Sequence, residues 1–365
     1  MTAGTLASLS NSVFASLGLS GVSDELGIGE SPSGRECIVL IDGMGSQLIA
    51  QYGREFPIFC QSIFEKELSS HFPTTTTVNL TSLATGVLPG IHGMLGYTVR
   101  VPRSGEPGRL LNALKWDERV DPLIWQSVPT LFERASAEGI STSQISAKRY
   151  EGTGFTRAAL RGANYVGANL ISEISDEAAK VLRKEKSFAY VYINHLDVAG
   201  HEDGVGSEKW LLALATVAKL LTELKEKLPP GTRVWVTADH GMVNADEIII
   251  FGKDNDLDKD VTLYGGEPRA RHLYVRDGAA RDVISRYRNY LGTKAEVLSK
   301  DEAISNNLFG NQMSIDSEER IGDIIVIANG GLILVDPERV KEEAGMVGHH
   351  GGLSEVERLI PLLAY

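Results

Sequence analysis

The chain has 365 residues, 42% of them hydrophobic and 23% charged, with a formal net charge of −12. Such a chain is too long for one small domain and suits a large α/β domain carrying an insertion. The acidic balance argues against binding a nucleic-acid polymer or an anionic membrane by charge, so an anionic substrate would need local positive charge, for which bound metal ions are one source.

Two cysteines, Cys37 and Cys60, make no disulfide framework, and Cys37 opens an apolar run that reads as buried and reduced. The N-terminal stretch has no Lys or Arg ahead of its mild apolar segment, which argues against a secretory signal, and no apolar run of about 18 residues predicts a membrane span. The expected location is the cytoplasm.

In chain order, Glu36–Asp42 (ECIVLID) is the first clear strand. His71–Gly86 (HFPTTTTVNLTSLATG) crowds four threonines where a helix begins. One threonine suffices for an N-cap; the other reading is that one of them is a nucleophile. Helices are expected over Leu131–Glu138, Glu173–Arg183 and Lys209–Lys227, and strands over Phe188–Asn194, Arg233–Ala238 and Ile321–Asn329. The strands are apolar almost throughout, as in a mostly parallel sheet with helices on both faces. Residues 250–310 read as strand, helix, strand, helix and predict a small α+β cap inserted into a core of residues 1–249 and 311–365.

Three strong strands run into chemistry-bearing groups: Asp42-Gly-Met-Gly, Asn194-His195-Leu196-Asp197 with His201 four residues on, and Asp239-His240-Gly241. Ligands gather at the carboxyl ends of such strands. The segment MVGHHGGLS adds His349 and His350. Each fragment alone reads equally as a turn, a cap or a surface pair. Together they supply at least three Asp and three His, a donor set that suits zinc and is large enough for two ions. Two ions about 4 Å apart can stabilise the attacking and leaving oxygens of an in-line displacement, and one can turn a threonine into an alkoxide. Asn79 falls on the same helical face as Thr76 and reads as a cap in preference to a phosphoryl donor.

The set Asp42-Gly-Met-Gly, Phe72-Pro-Thr-Thr-Thr76-Thr-Val-Asn79, Asp197-x-x-x-His201, Asp239-His240-Gly241-Met242 and Gly348-His-His350-Gly351 resembles the alkaline phosphatase superfamily, in particular its nucleotide pyrophosphatase/phosphodiesterase family. The resemblance implies Thr76 as nucleophile, one ion on Asp42, Asp239 and His240 facing Thr76, and a second on Asp197, His201 and His350. It implies zinc as the ion, with manganese as the alternative. Val78 and Leu80 stand where the family often has Pro and His, and Tyr97 stands where a phosphate-binding Asn closes the turn that begins at His92. Tyr97 is thus a candidate donor to phosphate or a packed core residue. His350 is preferred over His349. His92 reads as structural, His195 as a packing or supporting residue, and His71 and His272 as ordinary. Trp116 and Trp125 read as core in preference to stacking on a leaving group.

Two divalent ions nearly cancel three Asp and a threonine alkoxide. A monoester dianion would then need a further cation, and Arg100, the nearest Arg on the C-terminal side, lies beyond the helix. The expected activity is therefore hydrolysis of small phosphodiesters or pyrophosphates through a phospho-threonine. The rivals are a phosphonate hydrolase, a phosphomonoesterase or mutase on the same scaffold, and a non-catalytic metal-stabilised protein. A sulfatase is disfavoured because Cys60-Gln-Ser-Ile lacks its nucleophile setting. The loop Arg100–Trp116 and the insert are expected to shape the leaving-group pocket.

Overall fold

The computed structural model describes residues 4–62, 64–105 and 108–365, so part of the expected pocket loop, residues 106–107, lies outside the described residues. An eight-stranded sheet runs in the spatial order Gly4–Thr5, Phe64–Ser69, Leu359–Ala364, Arg233–Thr237, Arg35–Ile41, Ser187–Ile193, Ser141–Ser146, Asn164–Gly167. Only Leu359–Ala364 is antiparallel to its neighbours. Cys37 to Ile41 are all 0% exposed, so both alternating faces of the central strand are covered, as its unbroken apolar run requires.

The helices form where their caps and apolar spacing place them. Leu131–Ala137 starts on a capping box between Thr130 and Glu133, and Glu208–Lys227 starts on Ser207, whose hydroxyl accepts the Trp210 N–H. Leu214, Val217, Leu221 and Leu224, spaced three and four apart, line the buried side of that long helix. Among the described residues no helix is long and apolar enough to cross a membrane.

Register decides what the sheet presents at its edge. Leu40 pairs with Thr237 and Ile41 with Ile193 in parallel ladders, so Asp42 leaves the sheet beside Asp239 and Asn194. Asp197 follows one helical turn into His195–Asp203. The antiparallel pairing of Leu359 with Ser69 brings the His71–Thr76 loop and the segment preceding Leu359 to the same edge.

A second, four-stranded antiparallel sheet has the order Val261–Glu267, Ala270–Val275, Ile324–Ala328, Ala295–Ser299. The sequence of elements expected from Ala270 to Ser305 is present: strand, the helix Ala280–Leu291, strand, and the helix Lys300–Ser305. Ile324–Ala328, grouped by its apolar run with the strands of the large sheet, pairs instead inside this smaller one. It is covered on both faces there too, and such a run carries no mark of which sheet will cover it.

Candidate metal-dependent active site

The four threonines are sorted by packing. Thr74 Oγ1 donates to Gly352 O at 2.8 Å and accepts the Gly351 N–H, tying its loop to the final histidine loop. Thr75 occupies the N-cap of the helix Thr76–Thr85, but its side chain makes no capping bond. Thr77 turns inward to Gly96 O at 3.2 Å. Thr76 alone reaches the acidic cluster, with Oγ1 3.3 Å from His240 Nε2 and 3.4 and 3.5 Å from the Asp42 carboxylate. Asn79 is spent on the loop: its amide donates to His71, Pro73 and Thr75 carbonyls and its oxygen takes the His71 N–H, which fixes the approach of Thr76.

The six expected ligands form two groups, Asp42, Asp239, His240 and Asp197, His201, His350, with donor atoms of each group within 4.8 Å of one another. His240 Nδ1 donates to Gly241 O, His201 Nδ1 to Gly348 O and His350 Nδ1 to Thr74 O, at 2.8 to 2.9 Å. Each backbone bond fixes its ring and turns Nε2 toward a carboxylate, the arrangement that metal-binding histidines need. His240 Nε2 lies 3.3 Å from Asp42 Oδ1 and 3.5 Å from Asp239 Oδ2, and His201 Nε2 lies 3.3 Å from Asp197 Oδ1. These are edges of a tetrahedron whose corners stand about 2 Å from its centre, as around zinc. Asp239 Oδ1 accepts the Gly43 and His240 N–H groups. Asp239 Oδ2 and Asp197 Oδ1 are buried without a hydrogen-bond partner among the described residues, which a cation would satisfy. The residues fit a pair of divalent ions.

Electrostatics agree. Burial and the neighbouring Asp42 raise the Asp239 carboxyl well above its ordinary range. Burial works against charge on His201 and His240, yet their Asp partners win and lift them to about 9 and about 10. Burial and the two neighbouring imidazoles push His350 well below its ordinary value.

The remaining expectations divide. His349 lines the cleft but turns Nε2 to Met346 O at 3.3 Å and joins neither ligand group. His92 is buried between Ser82 Oγ and the Met94 N–H, and His272 accepts the Gly322 N–H. His195 lies in a surface groove beside Arg149. Trp125 packs under the Arg320 guanidinium at 3.9 Å, and Trp116 donates to Val120 O. Tyr97 lines the catalytic cleft half-buried, so it is not a core residue.

Four groups at the site carried no readable mark in the sequence. Tyr192, on the strand that leads to Asp197, donates to Asp42 Oδ2 at 2.5 Å. Arg339 enters the cleft but is paired with Glu342 and Glu343 and is therefore not free for a second anionic charge. Lys115 forms an exposed ion pair with Glu342, which lines the cleft. Glu267 arrives from the smaller sheet; burial raises its carboxyl to about 8, against the Tyr97 N–H and the Arg271 charge. An alternating period marks Tyr192 only as a strand residue, Glu267 ends a strand far from the motifs, and Arg339 and Lys115 sit in loops.

Two cavities open from Thr76. One, of about 260 Å³, is lined by Tyr97, Glu267, Arg339, Met346 and His350; the other, of about 140 Å³, by Gln144, Tyr150, Phe155, Tyr192 and Asn194. Thr76, Asp197 and Leu114 border both.

Comparison with known proteins decides the family. The type I phosphodiesterase/nucleotide pyrophosphatase family matches residues 37–353. The chain belongs to that family. A comparison with curated proteins found no match. Among solved structures, the fold of this family member is similar to murine ectonucleotide pyrophosphatase/phosphodiesterase 5, with 16% identity, TM-score 0.71, and 91% of this chain and 88% of that chain covered. It is also similar to phosphonoacetate hydrolase from Sinorhizobium meliloti 1021, with 18% identity, TM-score 0.68, and 92% and 90% covered. As a member of the family the chain is a phosphoryl hydrolase with candidate sites for divalent metal.

Proposed function

We propose that the protein cleaves one P–O bond of a small phosphodiester or pyrophosphate through a covalent phospho-threonine at Thr76. The observation that carries this reading is the pair of cavities meeting at Thr76. A diester has two substituents on phosphorus and needs room for both; a monoester needs room for one. The ion-paired Arg339 adds weight, since among the described residues no unpaired Lys or Arg lines the cleft for a dianionic phosphoryl group.

In this reading Asp42, Asp239 and His240 hold one divalent ion and Asp197, His201 and His350 the other, zinc in preference to manganese. Bound there, the ions would favour the ionised Thr76 hydroxyl and offset charge on the phosphoryl oxygens. Thr76 Oγ1 attacks phosphorus as the bond to the leaving oxygen breaks; water then attacks the same phosphorus and frees Thr76. The first-turn N–H groups of the ten-residue helix Thr76–Thr85 have no intrahelical acceptor and supply donors for non-bridging oxygens. Tyr97, at the cleft wall, is a further donor. The solved structure of an inactive threonine-to-alanine variant of the murine relative in complex with AMP supports both a nucleotide-like substrate and a threonine role. A cytoplasmic location accords with two free cysteines. In this reading residues 250–310, joined by the strand Ile324–Ala328 that pairs inside their sheet, are the cap, and the cap contributes Glu267.

The test compares metal-loaded protein on bis(p-nitrophenyl) phosphate, p-nitrophenyl phosphate and phosphonoacetate. The diester is expected to have the highest kcat/KM, by roughly tenfold or more, or about 1.4 kcal/mol of transition-state binding. A faster monoester overturns the reading. Turnover confined to phosphonoacetate favours the second reading, a phosphonate hydrolase, which rests on the fold likeness to the Sinorhizobium enzyme.

Metal loading itself is testable through protons. The folded-state values of His201 and His240 are raised to about 9 and about 10, so in metal-free protein both hold their second proton at pH 7.5. Coordination at Nε2 requires that proton to leave. Zinc added to metal-free protein in weak buffer is expected to release protons from both histidines at pH 7.5, and progressively fewer as pH rises through about 9 and then about 10. Apparent affinity should rise over the same span. Uptake without proton release would place zinc elsewhere.

A further inference from the structure

Glu267 ends the strand Val261–Glu267 and enters the tight turn whose far side is Ala270. It is 5% exposed and lines the larger cavity together with Thr76 and His350. One carboxyl oxygen, Oε2, accepts the Tyr97 N–H at 2.9 Å. The other, Oε1, is buried without a hydrogen-bond partner among the described residues. Gly351 secures its position: a Cβ there would come 2.6 Å from Glu267 Cγ and 3.2 Å from Oε1, and the φ of +125° already favours glycine.

An unsatisfied buried carboxyl oxygen is costly, and native structures keep few of them. The cations nearby bond elsewhere: Arg269 to Glu357, Arg339 to Glu342 and Glu343, and Arg271 to Glu343 through Nη2, its Nη1 being buried without a partner among the described residues. Two arginines flank this turn or follow it closely, yet neither bonds to Glu267. The Glu267 side chain lines a cavity next to the nucleophile, held in place by the Tyr97 N–H at Oε2 and by the Gly351 backbone beside Oε1.

We propose that Glu267 is a specificity-determining residue that hydrogen-bonds, through Oε1, a hydroxyl on the substituent that the diester places in the larger cavity. This rests on the diester reading and narrows it: the substrate is a phosphodiester with a hydroxylated arm, such as a glyceryl or ribosyl group. Recognition acts on binding. A site built around a buried hydrogen-bonding group discriminates strongly against a ligand lacking the partner, because the group is then left desolvated and unpaired.

The experiment uses the metal-loaded full chain and two matched substrates, glyceryl p-nitrophenyl phosphate and propyl p-nitrophenyl phosphate, which differ only in hydroxyls. The wild type is expected to favour the glyceryl diester by about 10- to 100-fold in kcat/KM, chiefly through KM. Glu267→Ala should erase that preference, bringing the glyceryl-to-propyl ratio of kcat/KM close to one whatever the absolute rates. Glu267→Gln, which keeps the shape and an amide, should retain part of the preference and serves as the reporter if the alanine variant fails to fold. A wild type indifferent to the hydroxyls, or variants that lose both substrates equally, would overturn the proposal and leave the diester reading intact. A wild type that cleaves neither diester would sink both.

Discussion

Thr76→Ala is expected to lower kcat on any diester by on the order of 10⁴ to 10⁶, while the protein still binds two divalent ions per chain. Loss of a covalent nucleophile has effects of that size. Retention of metal follows from the geometry: Thr76 approaches the cluster at 3.3 to 3.5 Å, whereas the ligand rings are held by backbone carbonyls of Gly241, Gly348 and Thr74. None of these holds depends on Thr76 Oγ1. Thr76→Ser tests the same point from the other direction, since it keeps the hydroxyl and should keep measurable turnover. Metal analysis beside steady-state kinetics checks both. Full activity in the alanine variant would mean that water attacks directly or that Thr75, which lines the cleft without a capping bond, takes over, because Thr77 is bonded to Gly96 and Thr74 to Gly352.

Glu357→Ala is expected to carry the largest stability loss, about 3–5 kcal/mol, because it strands the Arg269 charge in the interior. Both side chains of this pair are 0% exposed, with Arg269 Nε 2.6 Å from Glu357 Oε1. Glu357 also accepts the Gly352 N–H at 2.8 Å and the Ser354 hydroxyl at 2.6 Å, so it anchors the loop that carries His350. Arg269 in turn donates to the Leu332 and Ala328 carbonyls, and through Glu357 it ties the turn after Glu267 to the same loop. The loss should appear as a lower denaturation midpoint with metal-free and metal-loaded protein alike. Pairing the change with Arg269→Met should recover part of it, since the buried charge goes too, though the two carbonyls lose their donor. A single variant as stable as wild type would show that the pair is not buried in solution.

The ligand set was legible in the linear chain for a mechanical reason. Apolar strands covered on both faces declare themselves, parallel pairing aligns their carboxyl ends, and Asp42, Asp197 and Asp239 sit at those ends or one helical turn beyond. Chemistry at a sheet edge can thus be read from strands alone. The crowding of threonines was equally visible, but which hydroxyl faces the cluster was a matter of rotation at the start of one helix, settled by the bonds Thr74 and Thr77 make elsewhere. Tertiary packing alone also decided that Ile324–Ala328 joins the smaller sheet, since an apolar run records burial and not its partner. Glu267, Tyr192 and Arg339 reach the cleft only because separate elements are folded against one another. A local pattern encodes local geometry and burial; the meeting of residues hundreds of positions apart is encoded in no window of the chain, and the substituent pockets are made of such meetings.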